Sequence, residues 1–367
     1  MRLRIALVGC GKAGENHVTQ IQHIPDAHLV AVCDHEPIMA EQLASRYAVR
    51  QCYSDYSEML QKERPDVVHI TAPPQVHFEL AAMAFESGCH VLVEKPVTCS
   101  HGATERLLSL AEAVGRKLTV AWGHYFDPIV REMRHLVQSA AIGDVVHVNS
   151  HFGYDLAGPF GRPVLTDPEH WVRELPAQVI YNVADHIFNK ICEYLPGEDL
   201  TVETMIWPNV TWPGQPVTSI DEMPSEMRVL IKDDRATATA IFSSGIRPVL
   251  HRFQVFGTKA SASLDFTSGV LCIDRLPRHR SAVGALMSGY EEAWRRLKYA
   301  NKNLVRMTKG EFGYFSGLQY LIRSFYRSIV RDDPVPIPHD LILRVSRLTD
   351  RVLLDPRGAG CKEKLIA

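Results

Sequence analysis

A glycine-rich turn set between two apolar runs limits the folds open to this chain. Residues 4–8 (Arg-Ile-Ala-Leu-Val) lead directly into the pattern Gly-x-Gly-x-x-Gly, and a helix-compatible segment continues to about residue 24. The glycines of the pattern are Gly9, Gly11 and Gly14. A second apolar run, residues 29–33, ends on Asp34. This order predicts strand, tight turn, helix and strand, the opening of a doubly wound α/β domain.

Each position in this turn suits the binding of a dinucleotide. The first glycine permits the tight turn, the second lets the backbone approach a pyrophosphate, and the third allows close packing of helix on strand. The N–H groups and the positive end of the helix dipole then hold the phosphate charge. The predicted cofactor-binding residues of the turn are Gly9, Cys10, Gly11, Lys12, Ala13 and Gly14.

Asp34 indicates which dinucleotide is bound. It lies 20 positions beyond Gly14, where a carboxylate accepts hydrogen bonds from the adenosine ribose hydroxyls. A 2′-phosphate at this place would meet like charge. The next residues are His35, Glu36 and Pro37, so no arginine follows to reverse the preference. The sequence therefore predicts NAD as cofactor in preference to NADP.

Length and composition set broader limits. The 367 residues exceed one ordinary domain, and we predict a dinucleotide-binding domain over 1–122 and a substrate-binding and oligomerisation domain over 123–367. Lys and Arg number 40 against 42 Asp and Glu, which predicts no nucleic-acid partner. No apolar run approaches the roughly 20 residues of a transmembrane helix. Eight cysteines without a Cys-x-x-Cys pair favour reduced thiols, a cytoplasmic location and no metal site.

The predicted elements change character along the chain. The first 120 residues alternate apolar strands with helices, which is typical of a parallel sheet covered on both faces. From about residue 143, alternating β-type runs separated by turn signals predict an open, mainly antiparallel sheet. Helices near 287–307, 314–331 and 341–354 close the chain. The predicted fold class is therefore α/β: a Rossmann domain followed by an α+β domain.

Two loops that follow parallel strands carry candidate chemistry, because such sheets bind ligands at the carboxyl ends of their strands. The first is Thr71-Ala72-Pro73-Pro74 with His77 in the next helix, and the second is Glu94-Lys95-Pro96. On local grounds the first can equally be a stiff turn that starts a helix, and the lysine of the second can be an ordinary surface residue. The residues predicted to bind the cofactor here are Thr71, Pro73, Pro74, His77, Glu94 and Lys95.

The glycine turn and these two loops occur in the same order and at the same intervals in one family. The chain resembles the glucose–fructose oxidoreductase / inositol dehydrogenase / MocA family of NAD(P)-dependent oxidoreductases, most specifically over residues 3–128. The resemblance implies that Lys95 reaches the substrate hydroxyl and the nicotinamide, and that the Lys95-Pro96 peptide is cis. Lys95 would then assist proton transfer with a lowered pKa while hydride passes to C4 of NAD.

The resemblance extends to the second domain, with departures. The residues that match the family's Asp-x-Gly-x-His-x-x-Asp are Asn182, Ala184, His186 and Asn189. Asn182, Asp185, His186 and Asn189 share one helix face, and the resemblance implies that His186 contacts the reacting hydroxyl. Asparagine at 182 can orient a hydroxyl but cannot act as a base. The family's arginine after the sixth strand is also replaced, since this run is His124-Tyr125-Phe126.

These features predict catalytic Lys95 and His186, with substrate-binding residues Asn182, Asp185, His124, Tyr125 and Trp171. His124 and Tyr125 can instead pack at a domain junction, and the segment around Trp171 can be a structural linker. Residues 287–307 place apolar side chains at helical spacing beside basic ones. This predicts a helix that covers a sheet or partner subunit, with contact to a membrane surface or anionic ligand as the alternative.

The predicted activity is NAD-dependent oxidation or reduction of a secondary alcohol or ketone in a sugar, cyclitol or nucleotide-sugar. Two alternatives stay open. The replaced aspartate and arginine suit a non-catalytic NAD-binding sensor or scaffold, and bound NAD can also serve transiently in epimerisation or elimination. The resemblance further implies a homodimer or homotetramer that pairs through the open sheet.

Overall fold

The computed structural model describes residues 2–158, 161–208, 223–275, 281–308, 310–313 and 315–354. The chain forms two compact units. The first takes residues up to 126 together with 315–347, and the second takes the described residues from 127 to 313 together with 348–354.

Thirteen strands are found in the described residues. They are β1 (Leu3–Val8), β2 (Ala27–Cys33), β3 (Gln51–Tyr53), β4 (Val67–Ile70), β5 (His90–Val93), β6 (Leu118–Val120), β7 (Val145–Gly153), β8 (Thr201–Pro208), β9 (Pro224–Lys232), β10 (Thr237–Ser243), β11 (His251–Gly257), β12 (Ser261–Asp265) and β13 (Val270–Asp274).

Eleven α-helices accompany these strands within the same described ranges. They are α1 (Lys12–Gln22), α2 (Pro37–Tyr47), α3 (Tyr56–Glu63), α4 (His77–Glu86), α5 (His101–Ala113), α6 (Pro128–Gln138), α7 (Arg162–Thr166), α8 (Val179–Tyr194), α9 (Ala282–Thr308), α10 (Ser316–Arg331) and α11 (His339–Leu353).

The first unit contains a parallel sheet of six strands in the order β3-β2-β1-β4-β5-β6. The strand order reverses direction between β1 and β4, so the loops after these strands line the crevice where doubly wound sheets bind ligands. Every residue of β4 is buried, which agrees with its mainly apolar sequence, Val-Val-His-Ile. The predicted Rossmann fold is confirmed.

The second unit contains a sheet of seven strands in the order β13-β12-β11-β7-β10-β9-β8, antiparallel except for the parallel pair β7–β10. Helix α8 packs on one face through Val183, Ile187 and Ile191, which are all buried. The opposite face exposes Met205 and Leu230. The predicted open, mainly antiparallel sheet is confirmed.

Several elements were not expected from the sequence. Strand β3 has three residues at the sheet edge and is mostly exposed, so it is too short to show a period. Strand β8 and helix α6 were also missed. The return of residues 315–347 to the first unit was likewise unexpected, and the predicted boundary between residues 122 and 123 stays a prediction. Among the described residues, none of the helices is both long enough and apolar enough to cross a bilayer.

Candidate cofactor and substrate sites

The glycine turn leaves open space at one position. Gly9 has a positive φ of 94°, and a Cβ there would lie 2.4 Å from the Ala72 nitrogen; a Cβ on Gly14 would lie 2.3 Å from the Gly9 oxygen. Packing within the chain therefore requires both glycines. A Cβ on Gly11 would meet nothing within 4 Å, and no side chain caps α1 at this residue. The open space lies where the pyrophosphate is predicted to approach the helix N-terminus.

Asp34 is held directly against this turn. Its Oδ2 accepts a hydrogen bond from the Cys10 N–H at 2.6 Å, and its Oδ1 accepts one from the Glu36 N–H at 3.0 Å. His35 Nδ1 lies 3.1 Å from the same Oδ1. The buried carboxylate at the end of β2 is thereby fixed beside the predicted phosphate site. This is the arrangement that the sequence predicted for binding the ribose of NAD.

The first turn of α1 contains an acidic residue that is neutralised by neighbours. Glu15 pairs with Lys12 at 2.8 Å and with Arg46 at 2.7 Å. Hydrogen bonds from these two cations lower the pKa of Glu15. The carboxylate therefore adds little net negative charge near the place where phosphate is expected. Lys12 remains exposed at the start of the helix.

Thr71 and His77 hold loops together through hydrogen bonds within the protein. The Thr71 hydroxyl donates to the Gly9 oxygen at 2.6 Å and so ties the glycine turn to the loop after β4. The buried His77 ring has Nε2 2.7 Å from the Ala72 oxygen and Nδ1 3.0 Å from the Pro96 oxygen. The hydrogen bonds of these two side chains are made within the protein, and their cofactor contacts stay a prediction.

The remaining residues of these loops keep their predicted positions. Pro73 is half-buried and extended, and Pro74 begins a short 3-10 helix, Pro74–Val76. The peptide between Lys95 and Pro96 is cis, as the resemblance implies. Lys95 is half-buried at the carboxyl end of β5. Cofactor contacts of these residues stay a prediction.

A buried chain of hydrogen bonds ends at Glu94. Tyr326 OH lies 2.8 Å from His69 Nε2, and His69 Nδ1 lies 2.8 Å from His17 Nδ1. His17 Nε2 then lies 3.0 Å from Glu94 Oε1, while Glu94 Oε2 accepts the Lys95 N–H at 3.0 Å. Burial alone would raise the pKa of Glu94, but the hydrogen bond from His17 and the charge of Lys95 lower it. Glu94 is therefore a carboxylate that fixes the Lys95 backbone.

In the second unit, α8 carries the predicted substrate residues. Asn182 and His186 are half-buried, and the His186 ring stacks on Phe152 with 5.1 Å between centroids. Asp185 and Asn189 are buried, and within the described chain Asn189 Oδ1 has no hydrogen-bond partner. One polar helix face thus brings the four residues together, as predicted.

Lys190 is a residue of this helix that the sequence reasoning missed. Its side chain is 1 % exposed, its Nζ donates to the His186 oxygen, and its Nζ lies 5.3 Å from the centre of the Phe266 ring. Burial lowers the Lys190 pKa to about 7, although Asp127 and Glu193 act in the opposite direction. The available signal was a lysine set between the apolar pairs Ile187-Phe188 and Ile191-Cys192.

The backbone that leads into α8 is strained. Ala177 and Gln178 both have φ of 49°, a region that residues other than glycine seldom adopt. Gln178 combines this φ with ψ of −119°, and its buried Oε1 has no hydrogen-bond partner among the described residues. Such strain is commonly found where structure serves function.

The other predicted substrate residues differ in accessibility. Tyr125 is buried, with ring centroids of Trp122 and Phe126 at 6.0 and 5.2 Å, so its ring packs in the first unit. This favours packing, the alternative role, and its substrate contact stays a prediction. His124 is half-buried in the 3-10 helix Gly123–Phe126. Trp171 is half-buried and stacks on His170 at 5.6 Å.

Over the described ranges, the structure contains no group of three or more His, Cys, Asp or Glu side chains arranged to hold a metal ion.

A model of an oxidoreductase family with an NAD-binding Rossmann fold matches residues 3–122. The D-glucoside 3-dehydrogenase of Escherichia coli strain K12 is 31 % identical over 168 residues, which cover 46 % of this chain and 48 % of that protein. The inositol 2-dehydrogenase 4 of Saccharopolyspora erythraea is 29 % identical over 216 residues, 57 % of this chain and 58 % of that one.

Likeness in structure spans more of the chain. The crystal structure of an NAD binding oxidoreductase from Klebsiella pneumoniae has a TM-score of 0.77 and 20 % identity, and the match covers 96 % of both chains. At this identity the likeness shows the shared fold. The two curated relatives are matched over about half of their length. Together the comparisons confirm the predicted NAD-binding Rossmann fold.

Proposed function

We propose that this chain, whose residues 3–122 match the model of an oxidoreductase family with an NAD-binding Rossmann fold, is an NAD-dependent dehydrogenase or reductase. Its substrate is a secondary alcohol or ketone of a sugar, cyclitol or nucleotide-sugar. The proposal rests on the pairing of two features of the glycine turn. There is open space at Gly11, and the Asp34 carboxylate accepts a hydrogen bond from the Cys10 N–H. This pairing suits a pyrophosphate beside a ribose that lacks a 2′-phosphate.

The proposed chemistry divides between cofactor and side chains. When bound, NAD supplies hydride transfer at its nicotinamide. Lys95 and His186 act in proton transfer to and from the substrate hydroxyl, and Asn182 orients the substrate. Glu94 contributes by holding the backbone of Lys95 through an N–H···Oε2 bond of 3.0 Å. A fixed backbone limits the positions that the lysine ammonium can take.

The substrate class is supported by the names of the relatives. One acts on a D-glucoside and the other on inositol, both polyhydroxylated rings. A buried polar stripe on α8 that includes Asp185 and Asn189 suits hydroxyl recognition, because buried amides and carboxylates require hydrogen-bond partners. Trp171 adds an aromatic face of the kind that stacks on sugar rings.

The test begins with cofactor binding. Calorimetry on protein stripped of endogenous ligand should show NAD binding more tightly than NADP. A panel of sugars, cyclitols and nucleotide-sugars should then contain a substrate whose oxidation reduces NAD. Lys95→Ala should lower kcat by at least about 100-fold while leaving NAD affinity within a few-fold. Absence of NAD binding by the wild-type protein would contradict the proposal.

The same panel separates the two alternatives. NAD binding without turnover of any compound would favour the sensor or scaffold. A product isomeric with the substrate, or dehydrated from it, without net change in nicotinamide absorbance would favour transient use of bound NAD. We also expect a cytoplasmic homodimer or homotetramer that pairs through the sheet face carrying Met205 and Leu230.

A further inference from the structure

Helix α9 is oriented with its polar side toward the rest of the second unit. Tyr299 and Asn303 are its most buried described residues; Tyr299 OH donates to Glu132 Oε2 at 2.7 Å, and Asn303 Nδ2 donates to the Gly269 oxygen at 2.6 Å. Lys302 and Arg306 also bind Glu132, at 2.8 and 3.0 Å. The inner face is therefore fixed by polar contacts, the reverse of an ordinary surface helix.

The outer face of α9 is apolar and exposed. Its side chains recur at alternating intervals of four and three residues, interrupted once by an exposed asparagine. We call this stripe the α9 seam: Val283, Met287, Tyr290, Trp294, Leu297, Asn301 and Leu304. Its six apolar members are between 49 and 68 % exposed. A spacing of 3.5 residues is that of a coiled-coil contact, narrower than the face by which a helix covers a sheet.

We propose that the α9 seam binds the α9 seam of a second copy of this chain as an antiparallel helix pair. The helix has 27 residues and is therefore about 40 Å long, enough for three heptads of contact. Leu286, Val305 and Met307 flank the seam and are also exposed, which widens the apolar contact.

The flanking residues favour the antiparallel direction. With the two-fold axis between Arg295 and Arg296, Trp294 lies opposite the partner's Leu297. On one flank Glu291 then meets the partner's Lys298, and this ion pair forms twice by symmetry. A parallel pair would bring Glu291 beside the partner's Leu286 and leave Lys298 beside alanine, without a charge pair.

Small residues on the other flank agree with this direction. Ala293 meets the partner's Ala300 in the antiparallel register, and this leaves room for the Trp294 ring between the two helices. Large side chains at a contact separate helix axes, and small neighbours compensate for them.

The charges of α9 favour a protein partner over an anionic membrane. Arg296 pairs with Glu292 at 3.1 Å, and Lys302 and Arg306 both pair with Glu132. Three of the basic side chains of α9 are therefore engaged in ion pairs within the chain, two of them on its inner face. A helix that binds an anionic bilayer instead presents its cations to the lipid head groups.

Sedimentation of the full chain over a range of concentrations tests the seam. Leu297→Lys should raise the dissociation constant of the association step by at least roughly 30-fold, the effect of charging a central contact residue. Ile38→Lys is the matched control, because Ile38 is 54 % exposed and Leu297 is 52 % exposed. Retained NAD binding would show that each variant is folded. Equal association of the two variants, or a wild-type chain monomeric at all concentrations, would overturn the proposal.

Disulfide mixing tests the direction. In a Cys52→Ser background, which removes an exposed thiol, Met287→Cys and Leu304→Cys should cross-link when the two proteins are mixed, and neither should cross-link alone. Cross-linking of each variant with itself would show a parallel pair and overturn the proposal, as would no cross-link in the mixture. Flotation of a monomeric wild-type chain with phosphatidylglycerol vesicles, lost in Leu297→Lys, would assign the seam to a membrane and also overturn it.

Discussion

His17 and His69 meet through their Nδ1 atoms, 2.8 Å apart, so one of these two nitrogens donates and the other accepts. The groups that contact the other nitrogens of the two rings decide which Nδ1 donates. Glu94 is a carboxylate and can only accept, so His17 Nε2 carries the hydrogen that faces it. In a neutral ring His17 Nδ1 then accepts from His69 Nδ1–H, and His69 Nε2 accepts from Tyr326 OH. Burial holds the pKa of His69 well below its usual value.

This direction makes His69 a positioning residue for Glu94. Without a donor at His69, the His17 ring can place its hydrogen on Nδ1, and the lone pair of Nε2 would face the Glu94 carboxylate. We expect His69→Leu to lower kcat by about 10-fold through a loosened Glu94 and Lys95 backbone, with NAD affinity unchanged.

Tyr326→Phe is the control for this variant, because it removes a hydrogen bond at the far side of His69 but leaves the His69 Nδ1–H donor. It should cost about 1 kcal/mol of stability in urea unfolding and leave kcat close to the wild-type value. Equal losses of kcat in the two variants, or an intact kcat in His69→Leu, would contradict this role.

The buried Lys190 should make stability depend on pH. Its folded pKa is lowered to about 7 from 10.5, so between these values the unfolded chain binds a proton that the folded chain lacks. The contribution of this group to the free energy of unfolding therefore rises with pH over that interval, by up to about 1.4 kcal/mol per pH unit. Below about pH 7 both states are charged, and the full cost of burying the charge is present.

Lys190→Met removes this cost and should unfold at higher urea concentration than wild type at pH 6. Its advantage should shrink as the pH is raised toward 10, because the wild-type amine becomes neutral in the folded state. Lys232→Met changes an exposed lysine of the same unit and should show no such trend. A constant difference between Lys190→Met and wild type across this range would argue against a depressed pKa.

Cofactor discrimination should depend on Asp34. In Asp34→Asn the amide keeps the shape of the side chain but loses the charge that opposes a 2′-phosphate and the charge-assisted bond from the Cys10 N–H at 2.6 Å. NAD affinity should fall by about 10- to 100-fold, and the preference over NADP should shrink. Glu36→Gln, an exposed neighbour, should change NAD affinity by less than about threefold. Calorimetry with both nucleotides measures these values, and an unchanged NAD affinity in Asp34→Asn would exclude a ribose contact.

The sequence predicted those parts of the molecule whose residues are close together both along the chain and in the folded structure. One βαβ unit contains the glycine turn, the strand before it and Asp34. A short sequence pattern is therefore enough to predict how they are arranged. The partners of Glu94 do not share this property: Tyr326 and His69 are separated by 257 positions, and only the return of α10 to the first unit brings them together. Lys190 was missed for another reason. Its neighbours in sequence mark a helix, while its lowered pKa comes from burial, to which contact with the Phe266 ring, 76 positions along the chain, contributes.

Strain before α8 supplies a last prediction. Gln178 has φ of 49° and ψ of −119°, which a glycine adopts without Cβ conflict, and its Oε1 is buried without a partner among the described residues. Gln178→Gly should therefore raise the free energy of unfolding by about 1 kcal/mol, despite the entropy that glycine adds to the unfolded chain. Ala48→Gly is the comparison, since Ala48 ends α2 at φ of 53° and ψ of 38°, an ordinary left-handed position. Urea unfolding should show the larger gain at 178; an equal or smaller gain would mean that the surroundings of α8 relieve the strain.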